Sequence, residues 1–143
     1  MNEYPAGVPI VITHEGGMRF GAQIRSHLLV TDQPERAGGT DSGPSPIELL
    51  GASLGSCIAF YVQQFCHARN LPYGGMRVEV KQRNEKNPAR VAEFIVQVVM
   101  PDVFPEHYLS MLERVTRSCP AHNTLSGGAA MNIEIVVGAE VAS

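Results

Sequence analysis

Residues Gly43 to His67 constrain this chain more than any other stretch. They run G-P-S-P-I-E-L-L-G-A-S-L-G-S-C-I-A-F-Y-V-Q-Q-F-C-H. Ser45 suits an N-cap and Pro46 the first helical position, and Glu48 stands three residues after the cap, so Ser45-x-x-Glu48 is a capping box. Beyond it the pattern is apolar nearly all round: Ile47, Leu49, Leu50, Ala52, Leu54, Ile58, Ala59, Phe60, Tyr61, Val62 and Phe65. Such a helix is expected to be buried on most faces and to run through the middle of a small domain. Gly51 and Gly55 each cost about 1 kcal/mol relative to alanine. Close approach of another backbone beside Cys57 is the expected return, and the chemistry is expected at that thiol.

With 143 residues the chain is long enough for one domain, 1–143, with a core that needs no staples. A net charge of −3 argues against a nucleic-acid or anionic-membrane surface. Glu48, Gln63, Gln64 and two glycines interrupt the long helix, which argues against a membrane span. The start, M-N-E-Y-P, lacks the basic and apolar regions of a signal peptide. Three cysteines do not make a secreted disulfide framework, so a cytoplasmic location is expected.

Around the helix, residues 7–13, Met18–Ile24 and His27–Val30 are expected to form an antiparallel N-terminal sheet joined by Gly turns. Residues 32–43 form a polar, Gly-rich loop long enough to be functional. Alternating Met76, Val78 and Val80, a polar turn from Asn84 to Pro88, and β-branched Val91–Met100 predict a hairpin. Pro105 opens a second helix. Tyr108, Leu112, Val115 and Cys119 share one of its faces, which puts Cys119 at the end of an inward stripe. Met131, Ile133, Ile135 and Val137 alternate with polar residues and predict a last strand. Strands, helix, strands, helix, strand is an α+β order.

Several chemistries are excluded or weakened by the residues. No Gly-x-Ser-x-Gly elbow is present, and Gly16-Gly17 and Gly38-Gly39 lack the order of a nucleotide loop. A zinc site would have to combine Cys119-x-x-His122 with Cys57 or with Cys66-His67, a looser spacing than zinc ligands usually show. Cys57 and Cys119 lie on helices that must share one core, so the thiols can approach; as plain alternative, both are small core residues. Cys66 is two and a half turns beyond Cys57 at about 100° per residue, and is read as core. A reactive thiol needs a nearby cation. Arg19, Arg25 and Arg36 are the candidates, the latter two read as surface residues, while Arg114 and Arg117 answer to a helix C-terminus.

Two segments together carry a resemblance. P-S-P-I-E-L-L-G-A-S-L-G-S-C (44–57) and C-P-A-H-N-T-L (119–125) resemble the two cysteine motifs of the OsmC/Ohr family, nearer its OsmC-like branch. The 62-residue gap and the order of elements from about residue 8 to 137 are similar as well. The resemblance implies an intertwined homodimer, with antiparallel sheets around a long central helix from each subunit and active sites at the subunit interface. It implies that Cys57 attacks a hydroperoxide and becomes a sulfenic acid. Cys119 then closes a disulfide, which a dithiol reduces, a lipoylated protein in some members. No metal, flavin or haem cofactor is implied. Family peroxidases carry a glutamate directly after the motif proline, paired with an arginine. Here Ile47 follows Pro46 and the acid is Glu48, whose spacing to Ser45 suits capping. Gly16-Gly17-Met18-Arg19 resembles the family's Gly-Gly-Arg turn with one residue inserted, which makes Arg19 the matching arginine. The expected activity is reduction of organic hydroperoxides in preference to hydrogen peroxide, with Ile47, Leu50 and Leu54 as apolar walls. A non-catalytic module of the same fold, binding an apolar small molecule at the dimer interface, is the alternative.

Overall fold

The computed structural model describes residues 7–138; the M-N-E-Y-P start lies outside them. Three strands, β1 (Val11–Gly16), β2 (Arg19–Ile24) and β3 (His27–Thr31), form an antiparallel meander. The long helix α1 spans Pro46–Ala68. A hairpin follows, β4 (Arg77–Glu85) with β5 (Arg90–Val99). Two short helices, α2 (Leu109–Thr116) and α3 (Pro120–Gly127), come last. The α+β expectation and the order of elements through β5 hold, although β1 begins at Val11 and not at residue 7.

Helix α1 starts as its sequence dictates. The Glu48 N–H donates to Ser45 Oγ at 3.3 Å, and the Ser45 N–H donates to Glu48 Oε1 at 3.0 Å. Leu54, Ile58, Val62, Phe65 and Cys66 recur at three- and four-residue intervals and form one buried stripe. Phe104, Leu112 and Cys119 complete the core against it. The glycines of α1 serve a close approach, as expected, but what approaches is the side chains of β4 and not a backbone. A Cβ at Gly55 would lie 3.0 Å from Val80 Cγ2, and one at Gly51 would lie 3.0 Å from Gln82 Nε2. Gln82 Nε2 donates to the Ile47 carbonyl at 2.8 Å, tying the hairpin to the first turn of the helix.

Three expectations need correction. Helix α1 is not buried on most faces: Ile47, Leu50 and Phe60 stand exposed, because one hairpin and two short helices cover only one side of it. The second helix does not run from Pro105 to Cys119. A 3-10 turn at Glu106–Tyr108 leads into α2, which ends at Thr116; Cys119 begins a new helix, since the ring of Pro120 disfavours the helical conformation of the residue before it. The strand predicted over Met131–Val137 is not formed. Ile133 and Val137 are 85% and 97% exposed, because an alternating segment becomes a strand only when a sheet edge pairs with it, and none among the described residues does. The N-terminal meander is similarly bare, packing chiefly on itself with Ile12, Phe20, Leu28 and Leu29 exposed.

The contact between α1 and β4 yields a stability test. Gly55→Val drives a branched side chain into Val80, and overpacking of this kind costs about 1–3 kcal/mol. A lower urea midpoint than wild type is expected, and an unchanged one would show that β4 does not constrain the helix.

Candidate functional site

Cys57 lies midway along α1, half-buried against the core stripe. Cys119 reaches the same place from the far end of the chain. The break before Pro120 turns the backbone so that Cys119 becomes the N-cap of α3, with φ −65° and ψ 127°. Its Sγ accepts the His122 backbone N–H at 3.4 Å, and the side chain is fully buried. Burial pushes the Cys119 thiol above its ordinary value of 9.0, and the neighbouring Cys57 thiol raises it further; the His122 N–H pulls weakly the other way. Cys119 therefore keeps its proton at neutral pH. All three cysteines are free thiols. Cys66, as expected, is a core residue, and burial raises its thiol too.

The loop before α1 is built around one carboxylate. Asp32, only 1% exposed, accepts hydroxyl hydrogen bonds on Oδ2 from Ser42 (2.6 Å) and Thr40 (2.8 Å), plus the Ser42 N–H (3.0 Å), while Oδ1 accepts the Gln33 N–H at 2.7 Å. These donors, Ser42 first, hold the Asp32 carboxyl far below the ordinary carboxylate value. Gly39 closes the coil, since a Cβ there would overlap the Gln33 carbonyl oxygen. The Asp32 N–H donates to the Pro44 carbonyl at 3.2 Å, which sets the chain at the entrance of α1. Sequence reasoning took this segment as a functional loop but missed Asp32 as its centre. An acid at the start of the loop, followed by Thr and Ser eight and ten residues on, was the available signal.

The remaining expected residues are placed as follows. Glu48 is spent on the helix cap: the Ser45 N–H, then the Ser45 hydroxyl, and more weakly the charge of Arg36 hold its carboxyl below the ordinary range. Arg36, read from sequence as a surface residue, is thus the cation whose charge reaches Glu48. Arg19 does not join the two thiols within the chain; its Nε donates to Glu15 Oε1 at 3.0 Å. Ile47, Leu50 and Leu54, expected as apolar walls, do line an open cleft of about 1120 Å3. Phe94, Val96 and Val98 face them, with Leu109, Leu112, His122 and Leu125 on the far side. Neither Cys57 nor Cys119 lines this cleft; Leu54 and Ile58, which do, flank Cys57 along α1. No three His, Cys, Asp or Glu side chains converge as metal ligands among the described residues, so the grouping a zinc site would need is not assembled.

Residues 39–134 match the family model described as OsmC-like protein. No curated protein matches the chain. Among solved structures, a Psychrobacter arcticus protein named for an osmotic-stress-induced detoxification response superimposes with a TM-score of 0.76 at 20% identity, covering 85% of this chain and 90% of that one. An OsmC-like protein from Mycoplasma pneumoniae gives 0.68 at 20% identity over 85% and 89%. An organic hydroperoxide resistance protein from Elizabethkingia anophelis gives 0.63 at 20% identity over 84% and 89%. At such identities the likeness is one of fold.

The Asp32 clamp has a definite pH sign. A carboxyl whose folded value is lowered contributes fully above its ordinary value of 3.8, and loses that contribution as pH falls below it. Trypsin should therefore spare the Arg36–Ala37 bond at neutral pH. Asp32→Asn, which presents an amide to a ring of donors, should make that bond labile at the same pH; equal cleavage of both proteins would mean that the clamp does not order the loop.

Proposed function

Because the chain belongs to the OsmC-like protein family, we propose that it is a thiol-dependent peroxidase that reduces organic hydroperoxides. One observation carries the reading: two free thiols 62 residues apart in sequence are neighbours in the core, one half-buried and the other sealed. The Cys57 thiolate attacks the terminal peroxide oxygen; the O–O bond breaks, the alkoxide takes a proton and leaves as an alcohol, and Cys57 becomes a sulfenic acid. The Cys119 sulfur then attacks the Cys57 sulfur. The S–O bond breaks, and the hydroxyl leaves with the Cys119 proton as water. A dithiol of the lipoyl class returns both sulfurs to thiols by exchange. Leu54 and Ile58, which flank Cys57 along α1 and open into the apolar cleft with Ile47 and Leu50, are the support for an organic peroxide over hydrogen peroxide.

The working form in this reading is a homodimer in the cytoplasm, where thiols stay reduced. Its support is the apolar surface left bare in one chain: Ile47, Leu50 and Phe60 on α1, Phe20 and Leu29 on the N-terminal sheet, and Ile133 and Ile135 near the C-terminus. A second copy covers these surfaces and brings Arg19 to a Cys57. A second reading, a binding module for an apolar small molecule, is favoured by one observation. Glu48 is committed to capping and Ile47 is apolar, so the chain's own α1 offers no free acid at the start of the motif.

Steady-state reduction of tert-butyl hydroperoxide with a dithiol, by protein that sediments as two chains, tests the reading. Cys57→Ser should abolish turnover. With the dithiol left out, Cys119→Ser should consume a single equivalent and leave a sulfenic acid that dimedone traps. Undiminished turnover by Cys57→Ser would contradict the peroxidase reading, and full activity in a monomer would contradict the interface.

A further inference from the structure

The ladder between β1 and β2 is irregular at one place. His14 pairs with Phe20 and Gly16 pairs with Arg19, which leaves Glu15 without a partner in a β-bulge. A bulge re-aims the side chain at the extra residue. Here it turns the Glu15 carboxylate across β2, where Oε1 takes the Arg19 Nε–H at 3.0 Å. Gly21 makes room for this, since a Cβ there would lie 2.8 Å from Glu15 Oε2 and 3.2 Å from its Cδ. Gly21 is itself buried beneath that carboxylate. The turn is pinned on its other side by His14 Nε2, 3.0 Å from the Gly17 carbonyl. Bulge, glycine and turn together fix the carboxylate and, through it, the arginine.

The chosen nitrogen matters. A guanidinium held through Nε points its two terminal nitrogens outward as a pair, the geometry with which arginine takes an anion or oxygen. Among the described residues no carboxylate or carbonyl engages the terminal nitrogens of Arg19. Arg83 and Arg90 spend a terminal nitrogen on Glu85, while Arg77 on β4 is held through Nε by Glu79, with no bulge or glycine among the described residues to fix that carboxylate. Glu48 offers Arg19 no carboxylate, because the helix cap occupies it.

We infer that Glu15 is the positioning residue for Arg19, holding Nε so that the terminal nitrogen pair faces the reacting thiol and peroxide. The inference rests on the peroxidase reading and on Arg19 acting in it. Glu15 touches neither substrate nor thiol; it works through Arg19 alone. The pair is itself exposed and worth little to stability, so its contribution is expected in the chemistry and not in the thermal midpoint.

A double-mutant cycle on the full-length protein tests this, with kcat/KM for tert-butyl hydroperoxide measured across pH. Glu15→Gln should lower the plateau about tenfold, in keeping with the cost of a misplaced catalytic group, and leave the thermal midpoint close to wild type. Glu15→Asp should restore part of the loss. Arg19→Ala should lose more, and Glu15→Gln/Arg19→Ala should lose no more than Arg19→Ala alone. A wild-type plateau in Glu15→Gln, or additive losses in the double variant, would overturn the positioning role while leaving the peroxidase reading intact. A wild-type plateau in Arg19→Ala would overturn both the role of Arg19 and that of Glu15. Turnover by Cys57→Ser would identify a failure of the peroxidase reading itself.

Discussion

The fold depends on a helix that its own chain covers on one side only. Helix α1 carries apolar residues around most of its circumference, but the buried stripe is the single line of Leu54, Ile58, Val62, Phe65 and Cys66. Gly51 and Gly55 let the β4 side chains Val80 and Gln82 close against it, and α2 and α3 seal its later turns. Cys57 and Tyr61 pack against its edge, while Ile47, Leu50 and Phe60 are left facing outward. The N-terminal meander and the alternating residues of 131–137 show the same excess, with apolar side chains that the described residues leave uncovered. Burial of apolar surface is the main favourable term in folding and association, at about 25 cal/mol per Å2. Three separate bare apolar surfaces on one small chain are therefore one problem, and the proposed dimer answers it by covering all three with a second copy.

The same helix organises the chemistry. It delivers Cys57 at mid-length, where the stripe meets the start of α3, and the turn forced by Pro120 brings Cys119 beside it. Their environments differ in a useful way. Cys119 is sealed and kept protonated by burial, so it holds the proton that the departing sulfenic oxygen takes away as water in the proposed cycle. Cys57 is only half-buried, which suits the thiol that meets the peroxide in that cycle. The loop clamped by Asp32 sets the entry to α1, and the capping box fixes its first turn. The placement of Cys57 thus begins upstream, at Asp32 and then at Ser45.

What was legible in the sequence is what local chemistry decides. Ser45, Pro46 and Glu48 announce the start of α1, and alternating Val78, Val80, Val96 and Val98 announce the hairpin. That the two thiols could approach was legible once both helices were assigned to one core, with plain core cysteines as the alternative; their pairing came from the family resemblance. What escaped depends on partners. The apolar turns of α1 do not say which side the chain itself will cover. The alternation over Met131–Val137 is a strand pattern without an edge to join. Glu15 stands beside a Gly-Gly turn like any surface acid, and only the bulge turns it onto Arg19. Asp32 resembles a solvent-facing loop residue until Gly39 and Ser42 fold back over it.

The central claim is that Cys57 and Cys119 form a redox pair that a hydroperoxide oxidises. Intact mass and peptide mapping after one equivalent of an organic hydroperoxide is added to the reduced protein test it most directly. The account predicts a loss of two hydrogens, mapped to a Cys57–Cys119 disulfide and reversed by a dithiol. Three unchanged thiols after that addition would contradict it and leave a binding module in its place.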